Sequence, residues 1–295
     1  MKKVRPRQTL TRSRGENSDV KPAVTSDSYM PPRSRIENLR KLSFRFYERV
    51  QPLIAPGLRN AQFDYRDMLE HHVKLADRWL DIGCGRRLFP EWMPQADEHE
   101  LRIIRSARSV FGIDPDFASL ADNRIVAMRV AGDGSSLPFA DDSFDLLTAN
   151  MVVEHVADPD ALLREARRIL KPGGLLIFHT PNLHSYATFL SACVPESWKK
   201  KLVNVIEGRK EEDVFPTLYR MNLPSRIQAL AEKNGFRVTQ LCMAESSAQG
   251  VVLGPLVLLE LIWIRMLRLS LFRGWRSNII AVLQKVTDSA KKSQP

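Results

Sequence analysis

From Arg78 to Thr180 the chain alternates short apolar runs with amphipathic stretches. The runs at 78–82, 109–114, 125–131, 144–150 and 174–180 have the length and near-continuous hydrophobicity of strands buried on both faces. Between the last two, Leu162, Leu163, Ala166, Ile169 and Leu170 fall on one helical stripe that would face a core. Asp158 can cap the free N–H groups of a helix over 158–170, Pro159 suits its first position, and Gly173-Gly174 would end it. Strand and helix in alternation predict an α/β fold with a doubly wound, mostly parallel sheet, which binds ligands at the carboxyl ends of its strands.

On either side the pattern changes. Ile36, Leu39, Leu42, Phe46 and Val50 keep a helical period until Pro52, and a second helix is predicted over 64–75. Residues 1–35, rich in Arg, Ser, Thr and Pro, contain no apolar series; they read as a disordered tail and hold no signal-peptide core. An irregular insertion over 186–222 is followed by a helix over 224–233, stopped by Gly235, and by strands at 236–243 and 278–285. Between those strands lies the most apolar stretch, Val251 to Phe272, 22 residues of which only Glu260, Arg265 and Arg268 are charged. Its length permits a membrane span. If 278–285 completes the same sheet as 236–243, however, a single crossing would leave the two strands on opposite sides of the bilayer. An interfacial helix or hairpin flanked by Arg273 and Arg276 keeps them together. A helix packed in a homodimer interface or over the site is the other reading.

Hydrophobic residues make up 44% of the 295, enough for a substantial core. Three scattered cysteines, Cys84, Cys193 and Cys242, suggest neither a disulfide framework nor a zinc cluster, and point to a reducing cytoplasm. The net charge of +10 gains meaning once it is located. Residues 1–35 carry nine Lys/Arg against three acids and 251–295 seven against two, which leaves 28 against 29 for the body, a charge of −1. A nucleic-acid enzyme would line its site with the excess, so that class is disfavoured. Basic ends on a neutral body fit an anionic membrane surface, or solvated tails.

The candidate chemistry sits where strands end. Trp79-Leu80-Asp81-Ile82 runs into Gly83-Cys84-Gly85 and then a helical pattern: a strand, a glycine turn and a helix start, which let backbone approach a nucleotide-like ligand. The dinucleotide pattern GxGxxG fails because Leu88 stands at its last glycine, which counts against a dehydrogenase. Asp114 closes the second strand, where the two oxygens of a carboxylate match a diol; an exposed turn acid before Pro115 is its other reading.

Four blocks read together carry a resemblance: Leu80-Asp81-Ile82-Gly83-Cys84-Gly85; Phe111-Gly112-Ile113-Asp114; Gly132-Asp133 through Leu137-Pro138-Phe139 to Ser143-Phe144-Asp145; and Leu170-Lys171-Pro172-Gly173-Gly174. Over 75–185, and more loosely to about 285, the chain resembles the class I S-adenosylmethionine-dependent methyltransferases, of the branch that modifies small molecules, quinones, lipids and sugars. The resemblance implies a Rossmann-like methyltransferase domain over 76–285 whose last strands pair antiparallel. It also implies a helical cap over 36–75; the residue pattern adds a substrate-side insertion over 186–222, a hydrophobic insertion over 251–276 and a basic tail over 286–295. Its cofactor would be S-adenosyl-L-methionine. Gly83, Cys84 and Gly85 would lie beside the ribose and methionyl portions, and Asp81 toward the amino-acid end. Asp114 and Pro115 would lie at the ribose, Asp133 and Gly134 near the adenine, and Asn150 on the methionyl side. Many relatives carry a third glycine where Arg87 stands, a departure from the pattern.

Methyl transfer from a sulfonium is an in-line displacement, in which a protein aligns the groups and excludes water. An oxygen nucleophile also gains from a base. His155, after the fourth strand, is the candidate base; a packed or cofactor-contacting histidine is its other reading. Glu154-His155-Val156 resembles the quinone O-methyltransferases, in which a second glutamate three residues earlier helps bind a metal. Met151 stands there, so no metal is expected. His179, Tyr219 and Arg220 are candidate substrate contacts, with Asn182 a further one, whereas Lys199–Lys201 reads as a solvated face. These features converge on an O-methyltransferase for a small or lipid-linked acceptor, a sugar or polysaccharide precursor or a quinone, peripheral at the cytoplasmic membrane face. The competing classes are a cofactor-binding scaffold without turnover and a protein methyltransferase that docks its partner on 251–272.

Overall fold

The computed structural model describes residues 32–123, 126–193 and 216–287. Its strands are β1 (Arg78–Ile82), β2 (Ser109–Asp114), β3 (Met128–Ala131), β4 (Phe144–Asn150), β5 (Leu170–Pro181), β6 (Phe236–Ala244) and β7 (Asn278–Lys285). They form one sheet in the order β3-β2-β1-β4-β5-β7-β6, an α/β Rossmann-like arrangement. β1 to β5 pair in parallel, and β7 runs antiparallel between β5 and β6. β6 therefore runs the same way as β1, and the carboxyl ends of β1, β2, β4, β5 and β6 share one edge of the sheet.

Alternate side chains feed two cores. Leu80, Leu147 and Phe178 face the layer holding α5 (Pro159–Ile169) and α7 (Pro224–Lys233). Trp79, Leu146 and Ile177 face α2 (Ala61–Val73) and α3 (Ala96–Ser106). On α5 the predicted stripe is buried, and each of Leu162, Leu163 and Ile169 contributes about 1.5–3 kcal/mol by leaving water. Asp158 caps α5 by accepting from Ala161 N, with Pro159 in the first turn.

Several boundaries differ from those expected. α1 (Pro32–Ile54) starts inside the predicted tail and runs past Pro52, whose missing N–H deprives only the Glu48 carbonyl one turn before the helix ends. α2 starts earlier than predicted because Asn60 caps it, accepting from Gln62 N. No helix follows the glycine turn directly: Pro90 and Pro94 interrupt the segment, and α3 begins only at Ala96. Gly173-Gly174 does not end α5; the chain enters β5 at Leu170 and the pair lies within it, where the β4–β5 register shifts. The short α4 (Phe117–Asp122) carries no periodicity long enough to predict, and β3 begins at Met128. The predicted tails, apart from residues 32–35, 286 and 287, lie outside the described residues, as do Lys199–Lys201 and most of the 186–222 insertion, of which α6 (Tyr186–Cys193) and 216–222 are described.

The apolar stretch between β6 and β7 is helical. Gly250–Leu267 has the length and composition of a membrane span, with a mean hydropathy of 1.9. Gly254 (φ 61°) and Pro255 nevertheless break it into a 3-10 turn, Gly250–Leu256, and α8 (Val257–Leu267). The 11 residues of α8 extend about 16 Å, roughly half the hydrocarbon thickness of a bilayer. A second 3-10 turn, Ser270–Trp275, leads into β7. Val257, Leu261 and Ile264 pack on Phe46, Tyr47, Val50 and Ile54 of α1. The opposite side exposes Leu253, Leu256, Leu259, Ile262 and Leu271. All three charges of the stretch are paired internally. Glu260 accepts from Tyr186 Oη (2.6 Å), Gln249 N (2.7 Å) and Gly250 N (2.8 Å). Arg265 and Arg268 donate to the carbonyls of Ile54 and Pro56, at the partially negative end of α1.

Candidate cofactor and acceptor site

The turn after β1 is built on positive φ. Gly83 (φ 66°) donates to Ile113 O at 2.7 Å, and a Cβ there would stand 2.4 Å from Val152 Cγ2. Gly85 (φ 46°) donates to Asp114 Oδ2 at 2.8 Å, and nothing lies within 4 Å of where its Cβ would be. The other oxygen of Asp114 accepts from Asp116 N at 2.8 Å. Two backbone amides thus use about half of the roughly four acceptor sites of this buried carboxylate. The remaining lone pairs beside an open glycine face fit the vicinal diol of a nucleoside. Asn123, fully buried, braces the turn by donating to Gly85 O (2.9 Å) while accepting from Val126 N (3.1 Å). Burial pushes the Cys84 thiol far up, so it packs under the turn as an inert side chain. Pro115 is exposed between Asp114 and the cap of α4, Asp116.

Asp81 is buried and accepts from Thr148 Oγ1 at 2.6 Å, which in turn accepts from Trp79 Nε1 at 2.7 Å. Burial outweighs that hydrogen bond and raises the carboxyl from its ordinary 3.8 to about 7. Asp133 is exposed on the loop after β3, and hydrogen bonds from the Ser135 hydroxyl and amide hold it below the usual carboxylate range. The adjoining Gly134 is pressed on α5: a Cβ there would meet Leu162 Cδ1 at 2.6 Å.

Asn150 and His179 pair across β4 and β5, and the histidine belongs to a network beneath α2 rather than to a wall open to substrate. His179 Nδ1 lies 2.9 Å from Asn150 Oδ1 and Nε2 lies 3.2 Å from Asn278 Oδ1, while the ring stacks on Tyr65. Burial lowers its pKa to about 4, so the ring is neutral with one N–H, and one of the two amides presents its NH2 group instead. Asn150 also exchanges hydrogen bonds with Gln62 of α2. Asn182 is structural too, donating to Gly274 O and Arg276 O and so pinning the second 3-10 turn.

Glu154 and His155 form the polar corner beyond β4. His155 Nδ1 lies 2.9 Å from Pro216 O; a carbonyl only accepts, so Nδ1 carries the proton and Nε2 is the basic nitrogen. Glu154 Oε1 lies 3.9 Å from Nε2, and Oε2 accepts from Thr180 Oγ1. Burial raises the Glu154 carboxyl. Met151 and Tyr219 hold positive φ (57° and 52°) on either side of this corner, strain of about 1–3 kcal/mol each that the surroundings enforce. Tyr219 N donates to Glu154 O, whereas Arg220 is turned to Ala157 O. Tyr219 is half-buried at the corner and Arg220 is spent on the backbone.

Arg87 folds away from the glycine turn onto the acids of α3, pairing with Asp97 and lying 3.6 Å from the fully buried Glu100. Replacing the missing glycine should therefore leave the turn intact and unsettle α3. Arg87→Gly is expected to leave the turn's ligand affinity within about twofold while lowering stability by about 1–3 kcal/mol in urea titration, because among the described residues Glu100 then retains the Phe89 N–H alone as donor. Thr148 and Asn123 were missed in the sequence. A threonine amid Leu146, Leu147 and Ala149 was a usable signal, while an asparagine in a loop was not.

Residues 80–178 match the family model described as "Methyltransferase domain". An uncharacterized methyltransferase of Schizosaccharomyces pombe is 30% identical over 47% of this chain and 50% of its own length. A protein of Nitrobacter winogradskyi named ubiquinone biosynthesis O-methyltransferase is 27% identical over 81% of this chain and 86% of its own. This chain thus spans about half the length of the first relative and most of the second. An S-adenosylmethionine-dependent methyltransferase structure from Mesorhizobium loti superimposes with a TM-score of 0.46 at 19% identity, over 75% of this chain and 96% of that one.

Proposed function

We infer that this chain, a class I S-adenosylmethionine-dependent methyltransferase, O-methylates a small or lipid-linked hydroxyl acceptor at an anionic membrane surface. One observation carries the reading: the glycine turn with Asp114 and the apolar insertion both spring from the carboxyl edge of the sheet, so a cofactor pocket and a lipid-facing surface would share one end. A phenolic quinol is the preferred acceptor, supported by a relative named ubiquinone biosynthesis O-methyltransferase and another named demethylmenaquinone methyltransferase; a sugar precursor is the second. The basic ends and the exposed leucines favour the inner face of the membrane.

When bound, the cofactor supplies a methyl group on a positively charged sulfur. Gly83 and Gly85 would bring backbone alongside it, Asp114 would hold the ribose diol, and Asp81 would serve the amino-acid end. His155 Nε2 takes the acceptor's hydroxyl proton, and the Glu154 carboxyl beside it steadies the imidazolium that results. The cap helices and the insertion exclude water from the displacement.

The pH dependence follows from Asp81. An ammonium group on the cofactor attracts only its ionised form, so cofactor affinity is expected to fall by up to about tenfold per unit as pH drops below about 7. Asp81→Asn should flatten that profile in calorimetric titration. Apo stability runs the other way. Because the folded pKa is raised, the Asp81 contribution is fully present below 3.8 and is lost as pH rises to about 7. The function itself is tested by titrating S-adenosylmethionine into the full chain, screening quinols for methylation, and sedimenting the protein with phosphatidylglycerol vesicles. No cofactor binding by folded protein sinks the enzyme reading, and a wholly soluble partition sinks the membrane part.

A further inference from the structure

A cavity of about 580 Å³ lies between α6 and the hydrophobic insertion, within the usual range for small-molecule sites. Its walls include Tyr186, Leu253, Leu256, Leu259, Glu260 and Trp263. α6 leaves the sheet after the carboxyl end of β5, and the insertion after that of β6, so the cavity stands at the acceptor end of the fold. Its chemistry is more apolar than the sequence suggests. The Glu260 carboxylate, the one charge among the described lining residues, is taken up by the Tyr186 hydroxyl and two backbone amides. The lining leucines Leu253, Leu256 and Leu259 are 60–67% exposed and continue onto the apolar outer face through Ile262, so the entrance meets lipid more favourably than water. One polar atom breaks the pattern: Trp263 Nε1 is buried with no hydrogen-bond partner among the described residues. A buried indole N–H ordinarily finds an acceptor, and a turn of the ring toward the cavity would let an incoming oxygen supply it.

We propose that this cavity holds the hydrocarbon tail of a lipid-type acceptor, with the Trp263 ring turning to donate from Nε1 to an alcohol, ether or ester oxygen carried on the chain. The inference rests on the lipid-acceptor reading above and deepens it by assigning the tail a site of its own. Entry from the bilayer would leave the polar head at the carboxyl edge of the sheet, where the methyl is delivered.

A diazirine-bearing hexadecanol, photolysed with the full chain and mapped by mass spectrometry, tests the assignment. Labelling should saturate, fall within residues 186–187 and 249–263 and be displaced by unlabelled hexadecanol. Leu256→Trp and Leu259→Trp fill the cavity at positions already exposed, so folding does not depend on them; each should weaken labelling at least about tenfold. Trp263→Phe keeps the ring and removes the donor, and should weaken competition by hexadecanol about fivefold while leaving hexadecane unchanged. S-adenosylhomocysteine binding should be unaltered in all three variants. Labelling that never saturates, that ignores the tryptophan fillers, or that spreads over α1 and residues 270–275 as in simple bilayer partition would overturn the proposal. So would labelling lost only where the chain self-associates, since a second copy would then occupy the cavity. Absence of S-adenosylhomocysteine binding beside saturable labelling would instead sink the methyltransferase reading and leave the cavity assigned.

Discussion

Asp114→Ala should cost at least about 100-fold in affinity for S-adenosylmethionine and S-adenosylhomocysteine, enough to lose saturable binding in calorimetry. The carboxylate would make two charge-assisted hydrogen bonds to the ribose, each worth about 1.5–3 kcal/mol, and every 1.4 kcal/mol is tenfold. It also holds Gly85 N at 2.8 Å and Asp116 N at 2.8 Å, so its removal loosens the turn that meets the ligand. Asp114→Asn keeps one acceptor oxygen and should retain part of the affinity, at roughly a tenfold loss. A melting temperature close to that of the parent separates lost recognition from lost folding. Affinity within threefold of the parent in Asp114→Ala would remove the diol assignment.

Gly83→Ala should be the most damaging single methyl group added to the chain. The position holds φ at 66°, which costs an L-residue about 1–2 kcal/mol, and the new Cβ would overlap Val152 Cγ2 at 2.4 Å, overpacking worth about 1–3 kcal/mol more. Stability should therefore fall by about 2–5 kcal/mol in denaturant titration, with cofactor binding weakened in whatever protein stays folded. Adding Val152→Ala removes the overlap and leaves the dihedral penalty, so the double variant should recover roughly half of the loss. No recovery would mean that backbone conformation alone governs the turn.

Much of this fold could be read from the sequence because its strands are buried on both faces. β1, β2, β4 and β7 fall at the predicted residues, since a continuous apolar run with a turn at each end leaves little choice of register. Less could be read where local signals compete. Gly173-Gly174 reads as a helix stop, yet the strand pairing of Leu170 with Phe144 captures the chain first. Pro52 reads as a break, but near a helix end it forfeits a single hydrogen bond. The candidate site divides in the same way. The places of Asp81, Asp114 and the two glycines in the fold are legible because strand end and motif coincide. His179 is not, because its burial comes from α2, a segment more than 100 residues earlier in the chain. Nor does sequence alone show the fate of Arg87, whose partners on α3 depend on how the proline-rich segment between them folds back.

The place of β7 has a consequence for how the chain matures. Both of its neighbours, β5 and β6, precede it, and no direct β5–β6 pairing holds them together. During synthesis the whole apolar insertion therefore leaves the ribosome while the sheet is still in two parts, each with an unsatisfied edge. That interval is when leucines and open strand edges are most exposed to aggregation, and when a nearby membrane could shelter them. Arrival of the last strand then joins β6 to the parallel strands and fixes the insertion at both ends, so the same event that completes the sheet also sets the exposed apolar face of the insertion.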